Sequence, residues 1–428
     1  MATEVVSPGN FNLDKITLVE EDSKQFIDLK AITVSCSVSE SMNRRATQLQ
    51  LIVADINDVL GKLPVRGHER IVVDWKADGR TAGEGELRQE AFRIINIGDL
   101  KTTTEIPGHG YQILAISEFA WHEPFFEWDE FKEDTIENIV KAVHNKVLNG
   151  IEGPTDFGST GAFALAKTDP TDGVIEYVGP GEKPFQTIEQ LTSWAYSAAF
   201  PGSAWYYFKN KDGYNWRNIE SIAAEGEIAE YWYDPTEETS LSESVNPVNR
   251  EISTWKGQNR GNIWHMAKKG KLQNEVMELD YLKKKVIEHK FNYEADQPKP
   301  FGAKAWGAPS FYSKFGTKTT ETHWIFHGQE KIEYMPDALK HKWSMYSAME
   351  NNVTNMMVPG NSSLTVGKVI KINVPVQRAM KEHNAPIPYD QFLTGKYIIR
   401  DVIHMFNQQG YFSQMTLCRS GSAVQINS

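Results

Sequence analysis

The sequence predicts an α+β fold that is mainly β: two antiparallel β-modules with an α/β insert. Three observations carry this. Alternating apolar and polar residues recur in short runs through residues 26–119. Near residue 120 the apolar period switches to that of a helix. The last seventy or so residues then hold four β-type runs separated by Pro-Gly, Gly and Asn/Gln breakers.

Residues 1–25 are polar and mixed in sign and are expected to form an N-terminal arm. In the first module, residues 26–119, Ile32, Val34, Cys36 and Val38 share one strand face, with Thr33, Ser35, Ser37 and Ser39 opposite. Further runs cover 48–53, 70–75, 91–97 and 111–117, with glycine-bearing turns at 79–85 and around Pro107 and Gly108. That density of strands suits a barrel or sandwich. In the insert, residues 120–222, Asp134-Thr-Ile-Glu137 has the form of a capping box, and Ile136, Ile139, Val140, Val143 and Val147 follow at helical spacing. A Gly/Thr/Asp-rich loop is expected over 150–182. A second helix starts near Pro184, capped by Thr187 to Gln190, with Phe185, Ile188, Leu191 and Ala195 on one stripe. Residues 204–208 and 214–218 flank Asp212-Gly213, a hairpin signature. The second module is expected in two parts, 223–293 and 334–428. Between them, 294–333 is too apolar for a linker and too rich in Pro and Gly for a regular element, so an ordered aromatic arm is expected. A helix from Pro336, with Leu339, Trp343, Tyr346 and Met349 on one face, leads into the closing strands.

At 428 residues the chain is too long for one core, and two to four domains are expected. A net charge of −11 argues against a protein that coats nucleic acid. The N-terminus lacks the basic and apolar regions of a secretory signal. No apolar run is long enough to span a bilayer as a helix, so no membrane insertion is expected. The two cysteines, Cys36 and Cys418, sit in β-type runs and are expected to be small buried hydrophobes, which fits synthesis in a reducing cytoplasm.

Groups able to do chemistry are present but unorganised. Residues 118–138 hold eight acids and one lysine among aromatics. A glycosidase would need two carboxylates at a set separation, and nothing in the spacing of Glu118, Glu123, Glu127 and Asp129 imposes one. His109, His122, His144, His265, His289, His323, His327, His341 and His404 are dispersed. His323 and His327 would suit a metal only on a helix, and their surroundings look extended. No phosphate-binding or dinucleotide glycine motif and no nucleophile elbow occurs. No catalytic, cofactor-binding or metal residue is therefore assigned, and no cofactor is expected. Residues 225–243 carry seven acids and no Lys or Arg, whereas 250–290 carry ten Lys/Arg against five acids, including Lys268, Lys269, Lys271 and Lys283 to Lys285. Complementarity between subunits explains this better than nucleic-acid contact.

The order of these pieces resembles phage baseplate hub proteins. DLKAITVSCSVSESMNRRATQLQLIVAD resembles the start of their first barrel. KPFQTIEQLTSWAYSAAFPGSAWYYFKNKDGYNWRNIESI resembles their α/β insert. VPGNSSLTVGKVIKINVP, FLTGKYIIRDVIHMF and GYFSQMTLCRSG resemble their closing barrel. The likeness covers most of 26–293 and 334–428. It implies two tube-type β-barrel domains per chain and a homotrimer that presents six barrels to a hexameric tail tube. A trimeric spike carrying an OB-fold would sit below, with baseplate wedge and tape-measure proteins as further neighbours. The hub would do no bond chemistry and would pass DNA through its lumen without specific binding, in a virion tail assembled in the host cytoplasm. Related secretion-system spike proteins fuse the hub to an OB-fold and a β-helix. This chain ends at Ser428, so the resemblance implies a separate spike polypeptide. Two rival expectations are a tail-associated peptidoglycan hydrolase and a receptor- or glycan-binding component using 294–333.

Overall fold

The opening and closing strands belong to one sheet. In the computed structural model the described residues are 11–19, 26–55, 67, 69–77, 86–100, 109–151, 163–200, 204–233, 250–256, 273–281, 283–292, 321–327, 334–351, 353–376, 389–390 and 393–419. They form a mainly β molecule whose largest sheet has 13 strands.

The first module contains β1 (Phe11–Val19), β2 (Phe26–Asp28), β3 (Thr33–Ser41), β4 (Gln48–Asp55), β5 (Arg70–Ala77), β6 (Arg88–Leu100) and β7 (His109–Ser117). Their order is β3-β4-β7-β6-β5-β1-β2, with every neighbour antiparallel. The sheet curls round one core, to which strands near its two ends both contribute: Ile16 and Leu18 from β1, Cys36 and Val38 from β3. No strand pairing closes it into a ring among the described residues. Cys36 and Val38 face inward as their alternation predicts. The arm expected over 1–25 instead supplies β1. Its alternation is broken by a register shift between Leu13 and Lys15, so the inward residues Ile16 and Leu18 fall on the opposite parity from Leu13. The shift hides the strand from a period-2 reading.

The insert contains α1 (Glu118–His122), β8 (Phe131–Thr135), α2 (Ile136–Gly150), β9 (Leu165–Thr168), β10 (Val174–Val178), α3 (Pro184–Trp194), β11 (Trp205–Asn210), β12 (Gly213–Asn218) and α4 (Ile219–Ala223). α2 buries all five of its expected apolar residues. Its N-cap is Thr135, one residue later than the capping box suggests. Thr135 accepts from the Asn138 N–H, while Asp134 accepts from the Thr135 N–H at 2.7 Å and the Asn138 side chain at 2.8 Å. Thr187 lies inside α3 rather than capping it. The stretch expected as loop over 150–182 supplies β9 and β10. β10 pairs antiparallel with β8, and β9 pairs parallel with β12. These strands are only four and five residues long, which leaves little periodicity to read. The hairpin turns at Asp212 as expected, with Gly213 at φ 126°, a backbone angle that L-residues avoid.

The second module draws β13 (Glu227–Trp232), β14 (Thr254–Lys256), β18 (Val353–Pro359), β19 (Val369–Asn373), β20 (Gly395–Asn407) and β21 (Gly410–Cys418) into the large sheet. One pair, β13 with β19, is parallel. The remaining strands of the stretch expected at 223–293, β15 (Gln273–Asp280) and β16 (Lys285–Asn292), lie elsewhere. With β17 (Glu321–His327), from the stretch expected as an irregular arm, they make a separate three-stranded sheet ordered β16-β15-β17. This sheet packs on α5 (Met335–Asn351), where Val276 meets Met335 and Phe291 meets His341. α5 buries Met345 and Met349 in the core of the second module beside Phe208, Ile219 and Ile222 of the insert.

β20 is the seam. Its first half pairs with β19, and residues Asp401 to Phe406 pair with β3. β21 follows it along the other edge, with a register shift between Ile399 and Asp401 where β20 changes partner. Phe406 and Tyr411 thereby enter the core of the first module.

Candidate functional site

The apolar faces of three strands run into charged or polar residues where the modules meet. On β3 the inward sequence is Cys36, Val38, Glu40. On β6 it is Ile94, Phe92, Glu90, Arg88. On β20, His404 lies between Val402 and Phe406. Strand geometry keeps all of these on the inward side. Lys209 enters from β11 of the insert, and all five side chains are buried. Arg88 donates to both Glu40 and Glu90. Lys209 lies 3.2 Å from the other oxygen of Glu90 and 3.3 Å from the Thr47 hydroxyl. Glu40 also accepts from the Thr365 hydroxyl and, at 3.1 Å, from the Val366 N–H. The Arg88 guanidinium lies 4.9 Å from the centre of the Trp75 ring.

Two carboxylates therefore meet two cations in a charge-neutral cluster. Burial alone would push the Glu90 carboxyl up, but the charges of Lys209 and Arg88 outweigh it and hold the group below the usual range. Burial likewise works against the charge on Arg88, and Glu40 and Glu90 override it. His404 stays neutral. Burial and the neighbouring Arg88 push it down to about 3. Its Nδ1 is 2.8 Å from the Tyr411 hydroxyl, and its Nε2 is 3.1 Å from the Leu364 carbonyl.

A buried loop, 359–367, completes the junction. Asn361, Ser362, Leu364, Thr365 and Val366 are all buried, although the Pro-Gly-Asn signature suggests an exposed turn. The loop reaches both β-modules and the insert. The Ser362 hydroxyl donates to the Glu86 carbonyl of the first module at 2.8 Å, and the Thr365 hydroxyl accepts from the Lys211 N–H of the insert at 3.1 Å. Within the second module, the Gly367 N–H donates to the Ile399 carbonyl at 2.9 Å. The arrangement can lock three units in one geometry. Its histidine, His404, touches the Tyr411 and Ser413 hydroxyls, and all three side chains are buried.

The acids weighed for hydrolysis are engaged one by one. Glu118 is buried between Arg70 and Arg93, with Arg93 Nη2 at 2.8 Å. Burial opposes its charge, but His122 beside it and the two guanidinium groups hold the carboxyl at about 2, ionised at any ordinary pH. Glu123 accepts from the Phe185 N–H at 2.7 Å at the start of α3. Burial raises its carboxyl, and that hydrogen bond works against the rise. Glu127 pairs with Lys183 and Asp129 with Lys146, each at 2.8 Å on the surface.

Three further histidines have neighbours of their own. His144 is buried between the Tyr207 hydroxyl and the Phe163 carbonyl, both at 2.8 Å, and burial lowers it to about 4. His289 contacts buried Glu278 at 2.8 Å, and His122 lies 3.8 Å from Glu118. His323 and His327 lie on β17, an extended strand, where four residues span about 13 Å. No group of three potential metal ligands occurs among the described residues. His265, Lys268, Lys269 and Lys271 lie outside the described residues. Cys36 and Cys418 are free buried thiols, pushed up to about 12 by burial. Glu225, Glu227 and Glu230 of the acidic block pair within the chain, with Lys167, Lys396 and Lys371. The central cluster escaped sequence reading, but it left one signal. Glu40, Glu90 and His404 sit at inward positions of strands whose neighbouring inward residues are apolar.

No family model matches the chain, and no curated protein matches it. Its fold is found in solved structures. A tail protein from Neisseria meningitidis MC58 superposes with a TM-score of 0.52 at 9% identity, over 94% of this chain and 96% of that one. The 43 kDa tail protein of prophage MuSo2 from Shewanella oneidensis gives 0.53 at 10% identity, over 95% and 98%. Prophage tail protein gp18 from Listeria monocytogenes EGD-e gives 0.50 at 10% identity, over 95% and 94%. The chain thus has the fold of phage tail proteins across nearly its whole length, in agreement with the resemblance read from its sequence.

Proposed function

We propose that the chain is a structural component of a phage tail, and specifically the baseplate hub of a contractile tail. The observation that carries this reading is the seam. Two β-modules share one continuous sheet through β3 and β20, and a buried neutral cluster fixes them to the insert. A subunit that must present two tube-like modules at a set angle needs such a junction. In this reading residues 26–119, joined by β1, supply the first tube-type module, β13, β14 and β18 to β21 the second, and 120–222 is the insert. Three chains form a pseudo-sixfold ring between a hexameric tube and a trimeric, OB-fold-carrying spike. DNA passes through the lumen unbound, which the net charge of −11 favours by repelling phosphate. The subunit is assembled in the host cytoplasm, resides in the virion baseplate and is not an enzyme.

Light scattering and electron microscopy of the purified chain test this. A trimeric mass and a ring with a central channel are expected. A monomer at every attainable concentration, alone and with the spike, overturns it. Clearing of cell-wall suspensions by the wild type, abolished by Glu118→Gln or Glu123→Gln, would instead establish a hydrolase.

A further inference from the structure

Like charges face each other across three strand pairs among the described residues; Lys371 and Lys396 are each held by a glutamate, Glu230 and Glu227, and the other two cases are resolved differently. Arg70 on β5 is directly opposite Arg93 on β6. That pairing is unfavourable alone, and Glu118 sits between them and binds both. On the β8–β10 ribbon, Glu133 is directly opposite Glu176. Both are exposed, and no cation pairs with either among the described residues. The same outward face carries Phe131, Val174 and Val178, at 56%, 62% and 69% exposure. Phe131 and Val178 are themselves directly opposed. An acidic pair thus lies in an exposed apolar patch on the outer face of a two-stranded ribbon whose inner face, through Ile175 and Tyr177, is buried in the core of the insert.

The complementary surface is on the same chain. The tip of the β15–β16 hairpin carries Lys283, Lys284 and Lys285 in succession, all exposed, with Tyr281 and Val286 exposed beside them. Lys283 has a weak partner in Asp280 at 3.6 Å. Lys284 stands at φ 51° in the turn, in the left-handed region. We propose that the basic hairpin tip of one chain docks on the acidic β8–β10 face of a second copy, with its lysines bridging Glu133 and Glu176 as Glu118 bridges Arg70 and Arg93. The two surfaces are different, so the contact is head-to-tail and closes into a ring when the rotation allows. The proposal rests on the ring-forming reading above and names its subunit contact.

Charge reversal in the full chain tests it, with subunit mass read by light scattering over a dilution series. Glu133→Lys places a cation opposite Glu176. It is expected to raise the denaturation midpoint of the single chain while weakening assembly by about tenfold or more. Stability and assembly then move in opposite directions, which misfolding cannot mimic. Glu133→Lys with Glu176→Lys should abolish assembly, as should Lys284→Glu with Lys285→Glu. Mixing these two double variants restores complementarity at both kinds of junction, the unaltered tip on the unaltered face and the reversed tip on the reversed face, and should yield mixed assemblies. A ring that persists in Glu133→Lys/Glu176→Lys overturns the contact and leaves the ring reading standing. Loss of assembly with no mixed species on combination also overturns it. A wild type that never associates overturns both.

Discussion

At the scale of single residues, the central cluster is held by balance rather than by any one bond. Glu40→Gln preserves shape but leaves Arg88 and Lys209 facing Glu90 alone. Breaking a buried pair in this way costs about 3–5 kcal/mol, and urea denaturation of the variant should show a loss of that size. The histidines make a second prediction, in pH. His144 and His404 are lowered to about 4 and about 3 by burial, whereas an unfolded histidine titrates near 6.5. Below pH ~6.5 the unfolded chain takes up protons that the folded chain refuses, so stability falls with falling pH until the folded values are reached. Each histidine should cost about 2 kcal/mol at pH 5 relative to pH 7. Glu118, held at about 2, adds a loss that starts only below the ordinary carboxyl range, near pH ~4.5. Thermal melts at pH 7, 5 and 4 should follow this order, and His404→Gln should flatten the portion between about pH 6.5 and 4. A melting point unchanged between pH 7 and 5 would contradict it.

At the scale of elements, the buried loop 359–367 sets how closely β18 and β21 approach. A Cβ on Gly360 would lie 2.1 Å from the Tyr411 ring. That ring is tied through its hydroxyl to His404 and cannot swing aside without losing the bond. Gly360→Ala should therefore cost about 1–3 kcal/mol by overpacking. Gly226→Ala, whose Cβ would meet nothing within 4 Å, should be close to neutral in the same denaturation assay. These elements also show what was legible beforehand. The helix over Ile136 to Val147, the Asp212-Gly213 hairpin and the four closing strands follow from period and turn chemistry, which are local. β1 was hidden by its register shift, and β9 and β10 by their shortness. The division of 223–293 between two sheets depends on partners distant in sequence: β19 and β18 for β13 and β14, and β17 for β15. The junction was invisible for the same reason. Glu40 and Arg88 are both marked as unusual by their strand parity, yet nothing in their spacing says that they meet each other, Lys209 and Thr365.

At the scale of the whole molecule, the question is whether two β-modules behave as one body. Chains of this length commonly unfold in stages, because separate cores have separate stabilities. Here the cores are cross-stitched. Phe406 and Tyr411, carried by strands of the second module, pack in the core of the first, where Phe406 meets Trp75 edge-on at 5.9 Å. Met42 joins the core of the second from the end of β3, and its N–H donates to the Arg400 carbonyl at 2.9 Å. Phe208 of the insert lies in the same second core. Unfolding either module would expose these side chains and strip Glu40, Arg88 and Lys209 of their partners, so partial unfolding carries much of the penalty of complete unfolding. We therefore expect one calorimetric transition for the two modules. Phe406→Ala should cost about 3–5 kcal/mol and lower the midpoint of that transition without splitting it. Independent modules would respond differently, with one peak moving and a second, unshifted peak emerging. A chain that stays coupled under that substitution behaves as one rigid piece, because its two modules cannot turn relative to each other without opening the β3–β20 seam.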